Sequence, residues 1–167
     1  TTVKPATMSV EAFGIDFTIA GGGSIAGPVK LVKTNAGGLF LATSNSYTGG
    51  TIIGGGTLSV TNNNALGNVT NTVTLAGGTL RLNGGVTSAR EFSVTADSSL
   101  SIATNTTSAL SGGMSGTFAL TKAGAGTLNL SGTNNAGQFN LDDGIANLAG
   151  VMTAAGTGQR IRVGNNG

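Results

Sequence analysis

One short phrase constrains the fold of this chain more than any other: Gly-Thr-Leu, then any residue, then an apolar one. It stands at Gly56-Thr57-Leu58-Ser59-Val60, Gly78-Thr79-Leu80-Arg81-Leu82 and Gly126-Thr127-Leu128-Asn129-Leu130, with Gly116-Thr117-Phe118-Ala119-Leu120 as a near copy. A glycine followed by a short alternating run is a corner leading into a strand. Its recurrence at intervals of tens of residues marks a coiled repeat architecture. Apolar residues alternate likewise in Leu39-Phe40-Leu41, Val73-Thr74-Leu75, Phe92-Ser93-Val94, Leu100-Ser101-Ile102, Phe139-Asn140-Leu141 and Ile161-Arg162-Val163. Period-two alternation sends the outer two side chains of each run to one face and the middle one to the other.

Between the runs lie Gly37-Gly38, Thr48-Gly49-Gly50, Gly54-Gly55-Gly56, Asn62-Asn63-Asn64, Asn83-Gly84-Gly85 and Gly112-Gly113. Gly and Asn tolerate positive φ, so each cluster can turn the chain sharply. Helical periodicity is missing; the nearest candidate, residues 86–92, is too short to bury a second turn. Strand starts near 38, 56, 78, 98 and 116 lie about 18 to 22 residues apart. That is too long for a stack of hairpins, which turn every ~8–12 residues, and it suits one lap of a solenoid. A lone lap cannot bury its apolar face, whereas a stack seals a continuous core. Right-handed crossovers prevail between parallel strands. The sequence therefore predicts an all-β, right-handed parallel β-helix of about eight coils of roughly 20 residues, near 40 Å long.

Composition narrows the function. Charged residues make up 8% of the chain, against ~25% in ordinary soluble domains. The net charge is +2, and the only local basic pairs are Lys30 with Lys33 and Arg160 with Arg162. The charge reads as scattered and solvated, without the phosphate contacts and stacking aromatics of a nucleic-acid face. With no cysteine and no histidine, disulfides, thiolate metal sites and histidine-based nucleophilic triads are excluded. The triple glycines at 21–23 and 54–56 lack the Lys-Ser/Thr of a phosphate loop. No stretch approaches the ~20 apolar residues of a membrane-spanning helix.

The segment Leu31-Val32-Lys33-Thr34-Asn35-Ala36-Gly37-Gly38-Leu39-Phe40-Leu41 aligns with Leu120-Thr121-Lys122-Ala123-Gly124-Ala125-Gly126-Thr127-Leu128-Asn129-Leu130, 89 residues later. With Tyr47-Thr48-Gly49-Gly50-Thr51 and Gly56-Thr57-Leu58 downstream, it resembles the autotransporter-associated β-strand repeat. The resemblance covers about residues 22–150. Its second copy departs where Ala136-Gly137-Gln138 replaces the Tyr-Thr-Gly-Gly element and where Asp142-Asp143 precedes the next strand. It implies a secreted or surface-displayed bacterial passenger region folded as a β-helix. It also implies that the anchoring barrel of such proteins lies outside this sequence, so that the chain is an excerpt or a separate subunit. Residues 1–167 are expected to be one β-helical repeat domain, with copies near 25–115 and 116–167, and residues 160–166 possible as the start of another unit.

Asp142-Asp143 is the one constellation with catalytic potential, since some β-helix enzymes acting on acidic polysaccharides use clustered aspartates as acid, base or calcium ligands. The other acids, Glu11, Asp16, Glu91 and Asp97, cannot be placed beside them from the coil spacing, and Asp-Asp-Gly before a strand is an ordinary turn. Tyr47 is expected to pack at a corner over a strand edge, and Asn and Thr to stack in ladders between coils. No catalytic, cofactor-binding or metal-binding residues are assigned. The expected function is a non-enzymatic extracellular stalk or adhesin-type passenger, whose partners are surface molecules of a host or neighbouring cell, or the chain itself. Two alternatives stand beside it: a filament subunit joining end to end through exposed strand edges, and a polysaccharide-degrading enzyme.

Overall fold

A computed structural model describes residues 6–151 and 161–164. Nineteen short strands form three parallel sheets. Sheet A stacks β1 (Thr7–Glu11), β3 (Lys30–Thr34), β5 (Thr51–Ile53), β7 (Val73–Ala76), β10 (Phe92–Ala96), β13 (Met114–Gly116) and β16 (Asn134–Asn135). Sheet B stacks β2 (Phe17–Ile19), β4 (Gly38–Leu41), β6 (Thr57–Val60), β8 (Thr79–Leu82), β11 (Ser98–Ile102), β14 (Ala119–Ala123), β17 (Gln138–Leu141) and β19 (Ile161–Val163). Sheet C stacks β9 (Thr87–Ser88), β12 (Thr107–Leu110), β15 (Thr127–Leu130) and β18 (Ile145–Leu148). The chain visits the three sides in turn and returns one strand higher, making a parallel β-solenoid. The predicted strand starts at 38, 56, 78, 98 and 116 all feed sheet B.

The described residues make about seven laps, where the sequence suggested about eight. Successive sheet A strands begin 23, 21, 22, 19, 22 and 20 residues apart, so most laps are longer than the anticipated 20. Seven strands at ~4.8 Å spacing give a rod close to 30 Å long. Residues 165–166 of the further unit suggested at 160–166, and Arg160 itself, lie outside the described residues; 161–163 form β19. The only helical turn among the described residues is a 3-10 turn at Asn63–Leu66, capped by Asn62, whose Oδ1 accepts from Ala65 N at 3.0 Å.

Register explains the core. In sheet B, Leu39, Leu58, Leu80 and Leu100 are direct neighbours up the stack, as are Leu41, Val60, Leu82 and Ile102, and all eight are buried. A one-residue slip would turn each of these columns out to water, so the alternation fixes the register. The middle residues face outward as predicted. Before sheet C begins, loops fill the third side and still bond between laps. Ser46 N donates to Ile25 O at 2.9 Å and Asn68 N to Tyr47 O at 2.9 Å.

Asn45 braces three laps there. Its Oδ1 accepts from Ile25 N at 2.9 Å below, and its Nδ2 donates to Ala65 O at 2.8 Å above. Ladders between side chains appear as expected: Asn147 Nδ2 donates to Asn129 Oδ1 at 2.8 Å, and Asn140 Nδ2 to Thr121 Oγ1 at 3.3 Å.

Candidate functional site

The charges are the first surprise. Lys33, Lys122 and Arg90 are 0%, 0% and 1% exposed. The reading of Lys30 with Lys33 as a solvated pair fails at Lys33. Alternation along β3 exposes Lys30 and turns Lys33 inward, between Val10 and Ile53 on the adjacent laps. Lys122 likewise sits in register between Leu100 and Leu141. Burial lowers both amines from the ordinary lysine range, while Asp16 acts in the opposite sense on Lys33 and Asp143 on Lys122.

Arg90 carried no signal in the sequence. Its side chain enters the solenoid and ties down the 3-10 turn of the lap below. Nε donates to Asn63 Oδ1 at 2.8 Å, while Nη2 donates to Asn63 O at 2.9 Å and Gly67 O at 2.7 Å. Nη1 donates to Asn68 O and, at 3.4 Å, to Asn71 O. Burial lowers its pKa, with Tyr47 acting in the opposite sense, yet an arginine keeps its proton in such a place. The only clue available in sequence would have been a long cationic side chain after the small residues Ser88 and Ala89, just ahead of a strand.

The acids also serve the backbone. Gly38 N donates to Asp16 Oδ1 at 2.7 Å, Gly113 N to Glu91 Oε1 at 3.1 Å and Ala119 N to Asp97 Oδ1 at 2.9 Å. Each link joins a residue to the one 22 positions on, so each carboxylate meets the amide of the next lap. Glu11 is exposed at the end of β1. Asp143 Oδ1 accepts from Gly144 N at 2.7 Å, which is the turn geometry expected of Asp-Asp-Gly. Asp142 N donates to Lys122 O at 2.9 Å, and its side chain borders a small depression with Thr121, Asn140 and Arg162. No group of three or more metal-ligating side chains occurs among the described residues.

Tyr47 packs as a structural residue, as expected, but inside the solenoid. The ring is wholly buried, and its hydroxyl shares a hydrogen bond of 2.6 Å with Thr51 Oγ1. Burial raises its pKa. Gly67, at φ +78, lies flat on the ring, where a Cβ would stand 2.8 Å from Cδ2 and Cε2. Asn71 Nδ2 holds the Tyr47 carbonyl at 2.7 Å. The Tyr-Thr-Gly-Gly-Thr element is therefore an internal bracket.

One outward column is free of charge altogether. Up sheet A, the outward column runs Ser9, Val32, Ile52, Thr74, Ser93, Ser115 and Asn135 in direct register. Beside it, where the third side turns into sheet A, two shallow grooves are lined by Lys30, Thr48, Thr70 and Asn71 in one case, and by Glu91, Ser111, Ser131 and Thr133 in the other. Such a surface offers hydroxyls and amides for contact, with Lys30 and Glu91 as the charged groups of the two grooves.

This is the class the geometry defines: a parallel β-solenoid whose buried cations Lys33, Arg90 and Lys122 brace the laps from within and whose sides are broad, polar and mostly neutral. Residues 31–60 and 120–145 match the passenger-associated-transport-repeat family. Over 154 residues, 92% of this chain, the sequence is 39% identical to the adhesin BmaC autotransporter of Brucella suis biovar 1 (strain 1330). The chain spans 4% of that relative's length. No solved structure matches. Among the described residues, no helix is long and apolar enough to cross a membrane.

Proposed function

We propose that this chain is a stretch of the passenger of a bacterial surface adhesin, displayed at the cell surface or released outside it, and that it works without catalysis as a rigid stalk whose sides make contact. The observation that carries this reading is the 39% identity to an adhesin autotransporter across nearly the whole chain. The structural use of charge supports it: Lys33, Arg90 and Lys122 are buried, and most of the exposed acids are tied to the backbone. The four carboxylates of Asp16, Glu91, Asp97 and Asp143 each accept a backbone amide, which leaves Glu11 and Asp142 for any chemistry outside the laps.

Stalk mechanics follow from the ladders. Sixteen parallel strand pairings surround the axis among the described residues, and bending means opening those on the stretched side, so outward side chains keep fixed spacings along the length. Partners are surface molecules that such a hydroxyl- and amide-rich face can hydrogen-bond. Beads coated with the chain should adhere to cultured host cells above albumin-coated beads. Equal adhesion of the two would remove the contact role and leave a spacer. Turnover of acidic glycans that disappears in Asp142→Ala would overturn the non-enzymatic reading.

A further inference from the structure

The two aligned lysine segments fall on different corners of the solenoid. Four laps carry the chain from β3 to β13, and the residues left over place Leu120 on β14. The first copy therefore turns from sheet A into sheet B, and the second from sheet B into sheet C. Despite this, the two corners are built alike. Lys33 Nζ donates to Thr34 O at 2.8 Å, Asn35 O at 3.0 Å and Gly55 O at 3.1 Å. Lys122 Nζ donates to Gly124 O, to Gly126 O at 2.6 Å and to Asp143 O at 2.6 Å.

Correspondence extends to the backbone. The residue two beyond each lysine is left-handed, Asn35 at φ +63 and Gly124 at φ +74. A left-handed glycine of the next lap roofs each amine: Gly56 at φ +58 and Gly144 at φ +73. A Cβ on Gly56 would stand 2.8 Å from Lys33 Nζ, and one on Gly144 would collide with Lys122 Nζ. In both corners two of the three carbonyls belong to the lysine's own lap and the third to the lap above.

We infer that each corner is a carbonyl-lined binding site for a primary ammonium ion, which the chain fills with its own lysine, and that the site is complete only when the following lap has docked. An ammonium has three N–H donors and no acceptor, and each cage presents three oxygens and a glycine roof with no room for a methyl. Buried carbonyls left without a donor are costly, so an unfilled cage opposes docking of the next lap and a filled one favours it. Because two of the three oxygens lie within the segment and the lap above supplies a carbonyl and a glycine in both cases, the same cage forms at either corner. The inference stands apart from the adhesion reading and holds whichever partner the outer face meets.

Chemical rescue tests it. Lys33→Ala and Lys122→Ala remove the stem and the amine and leave the cage open to small ions. Both variants should melt at lower temperature than the parent. Propylammonium chloride should raise their melting temperatures saturably, and tetramethylammonium chloride of equal ionic strength should not. Equal effects of the two salts would overturn the site. In Lys33→Ala, hydrogen exchange should speed up at residues 53–57 of the next lap as well as at 33–37. Acceleration confined to 33–37 would overturn the coupling of laps. Should the variants fail to fold, amine acylation of the parent chain decides: Lys33 and Lys122 should react at least about ten-fold more slowly than Lys30, because reaction requires local opening. Equal rates for the three would overturn the cage.

Discussion

Replacing Arg90 with methionine asks how much one inward cation contributes. Methionine keeps much of the apolar stem and removes the guanidinium, leaving Asn63 Oδ1 and the carbonyls of Asn63, Gly67, Asn68 and Asn71 without that donor. An orphaned buried acceptor costs ~1–3 kcal/mol. Five such groups would suggest more than the whole, but the 3-10 turn can relax and water can reach those at its rim. With about two of the five left dry and unpaired after relaxation, about 3–5 kcal/mol is the value expected here. At ~2–4 °C per kcal/mol for a chain of this size, the melting temperature should fall by roughly 10 °C. Lysine at the same place keeps the charge but lacks the planar fork, and should lose about 2 kcal/mol. Urea titration followed by circular dichroism measures both variants. Hydrogen exchange should show the loss concentrated at residues 62–71 and the lap above, since solenoid laps act through their neighbours. If Arg90→Met kept its urea midpoint within ~0.5 kcal/mol of the parent, the bracing role of the inward cations would be wrong.

Two further outcomes follow from the tyrosine bracket. Tyr47→Phe strands the hydroxyl of Thr51 and should cost about 1–2 kcal/mol, and adding Thr51→Val should recover part of the loss, because removing both polar partners is cheaper than removing one; a double-mutant cycle in urea measures the coupling. Gly67→Ala forces a side chain into φ +78 and against the Tyr47 ring, so it should destabilise by about 2–4 kcal/mol, whereas Lys30→Ala on the exposed start of β3 should stay within ~0.5 kcal/mol of the parent by the same titration.

The division between inside and outside along each strand was legible in the sequence because alternation is a local property of the backbone. Leu39-Phe40-Leu41 and Phe92-Ser93-Val94 point as their spacing dictates, and the parallel stacking followed from lap length. Alternation also held the clue to Lys33, which stands two residues after Leu31 on the same face. The assumption that a cation belongs in water overrode that clue. It fails here because the corners concentrate carbonyl oxygens that only an inward donor can satisfy. Tyr47 was misplaced for a related reason: the glycine that makes room for its ring, Gly67, comes from the next lap, 20 residues on.

The amino-acid order alone determined that this chain coils, which apolar residues of its strands line the interior, and that its surface would carry little charge. It also wrote the lysine corner twice. Only the tertiary structure decided where around the axis each corner falls, because that depends on the summed lengths of laps ranging from 19 to 23 residues, and no local motif encodes a sum. The same is true of what closes each cage. Its third oxygen arrives one turn later, from a part of the sequence with no reason to be read together with the lysine until the laps are stacked.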